Sequence, residues 1–169
     1  MYKHLLAGAA LATLWPAVAT AQTPAQTTSI RDAREQAPAA LIGYWKADLA
    51  ASTYAGGKPR AATRSFAYTE GGRILVSFAT LNASGAFSFG HWAAQVDGTP
   101  AVEYHSAAGS IAYNEVSLRK VDDRTLNLTV TRHGKVDLEA VYQLSADGRT
   151  LTYSYGDNVI VYRPWNLAD

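Results

Sequence analysis

From Leu41 onward, the chain consists of short β-favouring runs separated by tight turn sequences, and this rhythm limits the folds open to it. The runs are rich in Val, Ile, Leu, Tyr, Phe and Thr, whereas joints such as Asn82–Gly85 and Ala146–Gly148 hold residues that favour tight turns. Joints this short leave no room for crossover helices, so consecutive strands must pair antiparallel. The predicted strands are Ile42–Leu49, Ala62–Thr69, Arg73–Leu81, Ala86–Gln95, Ala101–His105, Ile111–Lys120, Thr125–Arg132, Lys135–Leu144, Thr150–Tyr155 and Val159–Arg163.

Two of these runs alternate clearly between apolar and polar residues, which predicts that one face of each strand is buried. The apolar residues are Leu126, Leu128 and Val130 in one run, and Val136, Leu138, Ala140, Tyr142 and Leu144 in the other. A sheet of about ten hairpin-connected strands exposes two edges unless it rolls up. We therefore predict an all-β protein, an antiparallel up-and-down barrel of about 8–10 strands. A two-sheet sandwich is the alternative, but it needs longer crossovers.

The N-terminus has the layout of a secretory signal peptide. A basic start, Met1–His4, precedes an uncharged run from Leu5 to Val18, and Ala19-Thr20-Ala21 provides a small-x-small cleavage pattern before Gln22. We predict that residues 1–21 are removed and that the mature protein is periplasmic or secreted. The apolar run is shorter than the roughly 20 residues that span a bilayer, so we expect no stable membrane anchor after cleavage.

Composition limits the domain organisation and the partners of the mature chain. Residues 22–40 are rich in Ala, Gln, Thr and Pro and predict a flexible arm, which leaves residues 41–169 for a single barrel domain. The chain has no cysteine, which excludes disulfides and thiolate metal sites. Of the 15 basic residues, Lys3 lies in the predicted signal peptide, so the basic residues of the mature chain equal its 14 acidic residues in number. Because the net charge is near zero, we expect no nucleic-acid partner.

Three segments resemble a family of small exported bacterial lipocalin-like (calycin-type) proteins: Gly43–Tyr54, which contains Gly43-Tyr44-Trp45, then Val116–Leu126 and Ser145–Thr152. The likeness covers residues 41–163. It implies a β-barrel of the lipocalin or fatty-acid-binding-protein type, with an internal cavity. It also implies that Trp45 plugs the closed end and that Arg163 stacks over it as a cation–π pair.

An unusually aromatic stretch lies between Ala86 and Tyr113, and alternation places Phe87, Phe89 and His91 on one face. Arg64 alternates with apolar neighbours and could anchor a carboxylate as in fatty-acid binders, although a solvated side chain also fits. Tyrosine hydroxyls could orient the polar end of an apolar ligand, and the same rings could instead pack a core. The candidate ligand-binding residues are Arg64, Phe87, Phe89, His91, Tyr104, Tyr113, Tyr153 and Tyr155.

The candidates for acid–base chemistry are His91, His105 and Glu103, because we expect the two histidines to be neighbours across a hairpin. With Glu115 they could also supply metal ligands, but no compact motif such as H-E-x-x-H is present. We therefore predict no metal and no cofactor.

The sequence favours an exported barrel that binds a small hydrophobic or aromatic molecule in its cavity. The first alternative is a small cavity enzyme, of the isomerase, cyclase or hydrolase type, that uses His, Tyr and Glu for acid–base chemistry. The second is an envelope protein-interaction module with a filled barrel. The sequence leaves open whether the protein is an enzyme.

Overall fold

The computed structural model describes residues 37–69, 72–106 and 114–166. The predicted signal peptide, the arm up to residue 36 and Tyr113 lie outside the described residues. Every predicted strand is present, and Arg73–Leu81, Thr125–Arg132 and Lys135–Leu144 match residue for residue. The strands are β1 (Gly43–Ala47), β2 (Ala61–Thr69), β3 (Arg73–Leu81), β4 (Phe87–Ala94), β5 (Ala101–Ser106), β6 (Asn114–Lys120), β7 (Thr125–Arg132), β8 (Lys135–Leu144), β9 (Leu151–Tyr155) and β10 (Asn158–Pro164).

The strands form a closed antiparallel barrel in sequence order, which confirms the predicted fold class. Each strand pairs with its neighbour along the chain, and β1 also pairs with β10, where Lys46 lies opposite Arg163. Closure satisfies the backbone groups that the first and last strands would otherwise expose as edges. Among the described residues, no helix has the length and apolarity that crossing a bilayer requires.

One end of the barrel, which we call the packed end, is filled by its own side chains. The short 3-10 helix Ala39–Leu41 precedes β1, and a Cβ atom on Gly148 in the β8–β9 turn would lie 3.2 Å from the Ala40 Cβ. Leu41 and Trp45 are each almost fully buried, and the Trp45 Nε1–H donates a hydrogen bond of 2.9 Å to the Leu41 carbonyl oxygen. Trp45 therefore joins the helix to the barrel interior.

The predicted stacking of Arg163 over Trp45 is wrong. Arg163 lies opposite Lys46, one position along from Trp45, so its side chain leaves the outer surface while Trp45 points inward. Outside the barrel, Arg163 Nη1 donates to the Thr150 hydroxyl at 2.6 Å, and Arg163 Nε lies 3.5 Å from a carboxylate oxygen of Asp48.

A β-bulge changes the predicted alternation in β8. Val130 lies opposite Leu138 whereas Thr131 lies opposite Val136, so Asp137 is an extra residue on β8. Val136 is consequently exposed, contrary to the prediction, while Leu138 and the residues after it keep the predicted phase. With the bulge, Asp137 lines a pocket while its side chain stays about half exposed.

We expect Trp45→Phe to lower the free energy of unfolding by about 1–3 kcal/mol, because it leaves the buried Leu41 carbonyl without its donor. Trp165→Phe is the control, since Trp165 is only partly buried and its ring meets the Lys46 ammonium at 5.8 Å. Urea unfolding followed by circular dichroism measures both changes. Equal losses in the two variants would contradict this role of Trp45.

Candidate functional site

A pocket of about 660 Å³ occupies the barrel interior at the other end, which we call the open end. Gly56 and Gly57 in the β1–β2 loop, Asn82 after β3, and Asn158 at the start of β10 lie around it. These segments lie at the end opposite the 3-10 helix, as the up-and-down order of the strands requires. The volume falls within the range of about 300–1,000 Å³ that small-molecule sites occupy.

Aromatic rings form much of the pocket wall. The Tyr153 ring lies 4.7 Å from the Tyr142 ring and 5.1 Å from the Tyr155 ring, so these phenols hold one another in place. A Cβ atom on Gly90 would come within 2.5 Å of the Phe78 ring, so glycine at this position lets that ring lie against β4. The aromatic lining residues are Tyr54, Phe78, Trp92, Tyr153, Tyr155 and Tyr162.

The Arg64 side chain projects from β2 into the pocket, among these aromatic rings. Its guanidinium carbon lies 4.2 Å from the centre of the Tyr153 ring, 5.1 Å from that of Tyr142 and 5.5 Å from that of Phe78. Nη1 donates a hydrogen bond to the Tyr142 hydroxyl. No carboxylate in the described residues lies within ion-pair distance of the guanidinium, and the described groups that contact its charge are ring faces and phenols.

Two buried polar atoms at this site lack a hydrogen-bond partner among the described residues: Arg64 Nε and the Tyr54 hydroxyl oxygen. Native proteins leave few buried polar atoms unpaired, because each one costs about 1–3 kcal/mol. Both residues line the pocket. Because both unpaired atoms lie at the same pocket, the polar groups there have a role other than packing.

Burial raises the pKa of the Tyr153 phenol above its ordinary value near 10, and the positive charge of Arg64 opposes the shift. Burial likewise raises the pKa of Tyr155 and of Tyr54. All three phenols are therefore protonated at neutral pH and present O–H donors to the pocket.

The structure places only some of the sequence candidates in the pocket. Arg64, Tyr153 and Tyr155 line it, as do Glu103 and His105. Four candidates lie on the outer surface instead of the interior where we expected them: Phe87, Phe89, His91 and Tyr104. The alternate residues of β4 face inward, because Trp92 lies opposite the buried Val76 and is itself fully buried.

The expected partnership of His91 and His105 is also corrected by the register. Gly90 lies opposite His105 and His91 lies opposite Tyr104, so the two imidazoles leave opposite faces of the sheet. His91 stacks on Tyr104 outside the barrel with ring centres 5.2 Å apart. His105 packs beside Phe78 at 5.6 Å, which leaves His105 and Glu103 as the acid–base candidates on the pocket wall.

Sequence reasoning indicated Glu103 but missed the polar residues that form a row with it at the open end: Asn114, Arg132 and Asp137. Asn114 is buried; its Nδ2 donates to Glu103 Oε2 at 2.7 Å, and its Oδ1 accepts from Arg132 Nε at 3.1 Å. Arg132 Nη2 also lies 3.2 Å from Asp137 Oδ2. Each residue comes from a different strand, β5 to β8, so no local sequence pattern joins them.

Comparisons with known proteins add no relative: the chain matches no protein-family model, no curated protein and no solved structure. In the part of the chain that the structure describes, no group of three or more His, Asp or Glu side chains is placed to hold a metal ion.

The raised tyrosine pKa values predict that stability falls as the pH rises from about 10 upward. Above that pH the unfolded chain releases phenol protons that the folded barrel still holds, so unfolding becomes more favourable. Tyr153→Phe should flatten this decline in the free energy of unfolding between pH 9 and 11.5, as measured by urea titration.

Ile160→Val is the matched control, because it trims the same pocket wall without removing a titrating group. It should lower stability by about 0.5–1.5 kcal/mol at every pH and keep the slope of the wild type. A Tyr153→Phe profile parallel to that of the wild type would contradict the assignment.

Proposed function

We propose that this barrel binds a small molecule with an apolar or aromatic body and an anionic group, and that Arg64 holds the anionic group. The supporting observation is the charge of Arg64, which no described carboxylate neutralises although its Nε atom is fully buried. Removing a charge from water costs several kcal/mol unless an opposite charge compensates for it. A carboxylate or sulfonate on the ligand supplies that compensation, with hydrogen bonds of the charge-assisted kind.

The body of the ligand lies against the aromatic wall. Phe78 and Tyr153 flank the guanidinium, and aliphatic side chains such as Leu128, Leu138 and Ile160 face the same space. Apolar contact contributes roughly 25 cal/mol per Å² buried, whereas the polar groups select orientation. An apolar or aromatic acid fits this division between the wall and the charged group.

Arg64→Gln tests the anchor with two fluorescent probes that differ by one sulfonate: 1-anilinonaphthalene-8-sulfonate, which is anionic, and N-phenyl-1-naphthylamine, which is neutral. We expect the substitution to weaken binding of the sulfonate about ten- to a hundredfold, because charge-assisted hydrogen bonds are lost. Binding of the neutral probe should stay within about twofold. Fluorescence titration gives both dissociation constants.

Arg149→Gln serves as the control, since Arg149 is exposed and lies in the β8–β9 turn at the packed end. It should leave both probes unaffected. Equal weakening of the two probes by Arg64→Gln would show that the arginine shapes the pocket without binding the anion, and the proposal would then fail.

We also propose that the protein is exported and belongs with the lipocalin-like family, which the N-terminal pattern and the resemblance of three segments to that family support. Mass spectrometry of the protein recovered from its host tests the export step. We expect an N-terminus at Gln22, after cleavage behind Ala21. Recovery of a chain that retains Leu5–Val18 from the soluble cell extract would contradict it.

A further inference from the structure

The open end holds a second unbalanced charge, of opposite sign to that of Arg64. Arg132 pairs with Asp137 at 3.2 Å, so these two charges offset each other. Within the described residues, the side-chain donor to Glu103 is the neutral amide of Asn114, at 2.7 Å. No cationic side chain of the described residues lies within 4.0 Å of the Glu103 carboxylate, so none of them neutralises its negative charge.

The polar row fixes the direction of Asn114. Arg132 can only donate hydrogen bonds, so the Asn114 oxygen must face it, and the Asn114 NH₂ group must face Glu103. The amide is thereby committed to Oε2 of Glu103, and a ligand donor can use the remaining acceptor capacity of the carboxylate. Glu103 and Arg64 both line the pocket.

Cross-strand register links the strands of the two charges through a row that contains two aromatic rings. Arg64 lies opposite Phe78, Phe78 opposite Gly90, and Gly90 opposite His105, two residues along from Glu103. The backbones of β2 and β5 are three strands apart, roughly 14 Å along the sheet. The Phe78 and His105 rings lie in the row that starts at Arg64, 5.6 Å from each other.

From these two opposite charges we infer that the ligand is dipolar: it carries an anionic group for Arg64, an apolar body over Phe78, and a protonated amine for Glu103. This inference rests on the proposed function and adds the second end of the ligand. An acid without an amine leaves the Glu103 charge unmatched, and an amine without an acid leaves that of Arg64 unmatched.

Competition for bound 1-anilinonaphthalene-8-sulfonate tests the inference with straight-chain ω-amino acids of six to twelve carbons, alkanoic acids of the same lengths and alkylamines. The best ω-amino acid should bind about tenfold or more tightly than its matched acid at pH 7, as expected for a hydrogen bond between charged groups. Glu103→Gln keeps an acceptor for Asn114 and should abolish this preference by weakening binding of the ω-amino acid, without weakening binding of the acid. Arg64→Gln should weaken both.

A second variant changes the charge balance around Glu103 without substituting Glu103 itself. Asp137→Asn frees the charge of Arg132 to offset Glu103 through Asn114, so it should also reduce the preference for the amine. Glu139→Gln is the control, because Glu139 is exposed on the same strand and does not line the pocket. It should keep the preference of the wild type.

The two proposals fail differently. If acids bind in an Arg64-dependent way but ω-amino acids bind no more tightly, the dipolar inference is overturned and the proposed function stands. If neither class competes with the probe and Arg64→Gln changes nothing, the proposed function fails together with the inference.

Discussion

The pairing of β1 with β10 is the constraint on which the rest of the structure depends. β1 is five residues long and is hydrogen-bonded on both sides, to β2 and to β10, so it closes the sheet into a barrel. Once the sheet is closed, alternate residues of each strand face either the interior or the solvent, and bulges alone change the phase. Closure therefore places Trp45 and Arg64, which lie opposite each other on β1 and β2, inside the same barrel.

The interior divides into an end that supplies stability and an end that is left open. At the packed end, Leu41, Trp45 and Phe66 exclude water almost completely, and the short helix before β1 covers them. At the open end, the side chains leave a pocket in which polar groups sit among aromatic rings. Because the packed end carries the apolar core, the open end can hold charges that a uniformly packed barrel would not tolerate.

Arg64 shows how a costly group is kept inside. Its guanidinium contacts the faces of tyrosine rings and the Tyr142 hydroxyl, which lower the cost of burial without cancelling the charge. Glu103 has a similar position at the open end, because its neighbour Asn114 is neutral while Arg132 is already paired with Asp137. Both groups are partly buried charges without an opposite charge among the described residues, and unusual electrostatic environments of this kind concentrate at functional sites.

The sequence by itself determined the ten strands and their order, because alternation and turn chemistry are local properties, and it also indicated Arg64, Tyr153 and Tyr155 as candidates for the pocket. Only the tertiary structure decided which face of β4 is inside, since moving the register by one residue would exchange His91 for Trp92. The polar row from Glu103 to Asp137 was likewise decided by folding. Its members come from separate strands, and the bulge at Asp137 depends on the pairing of β7 with β8.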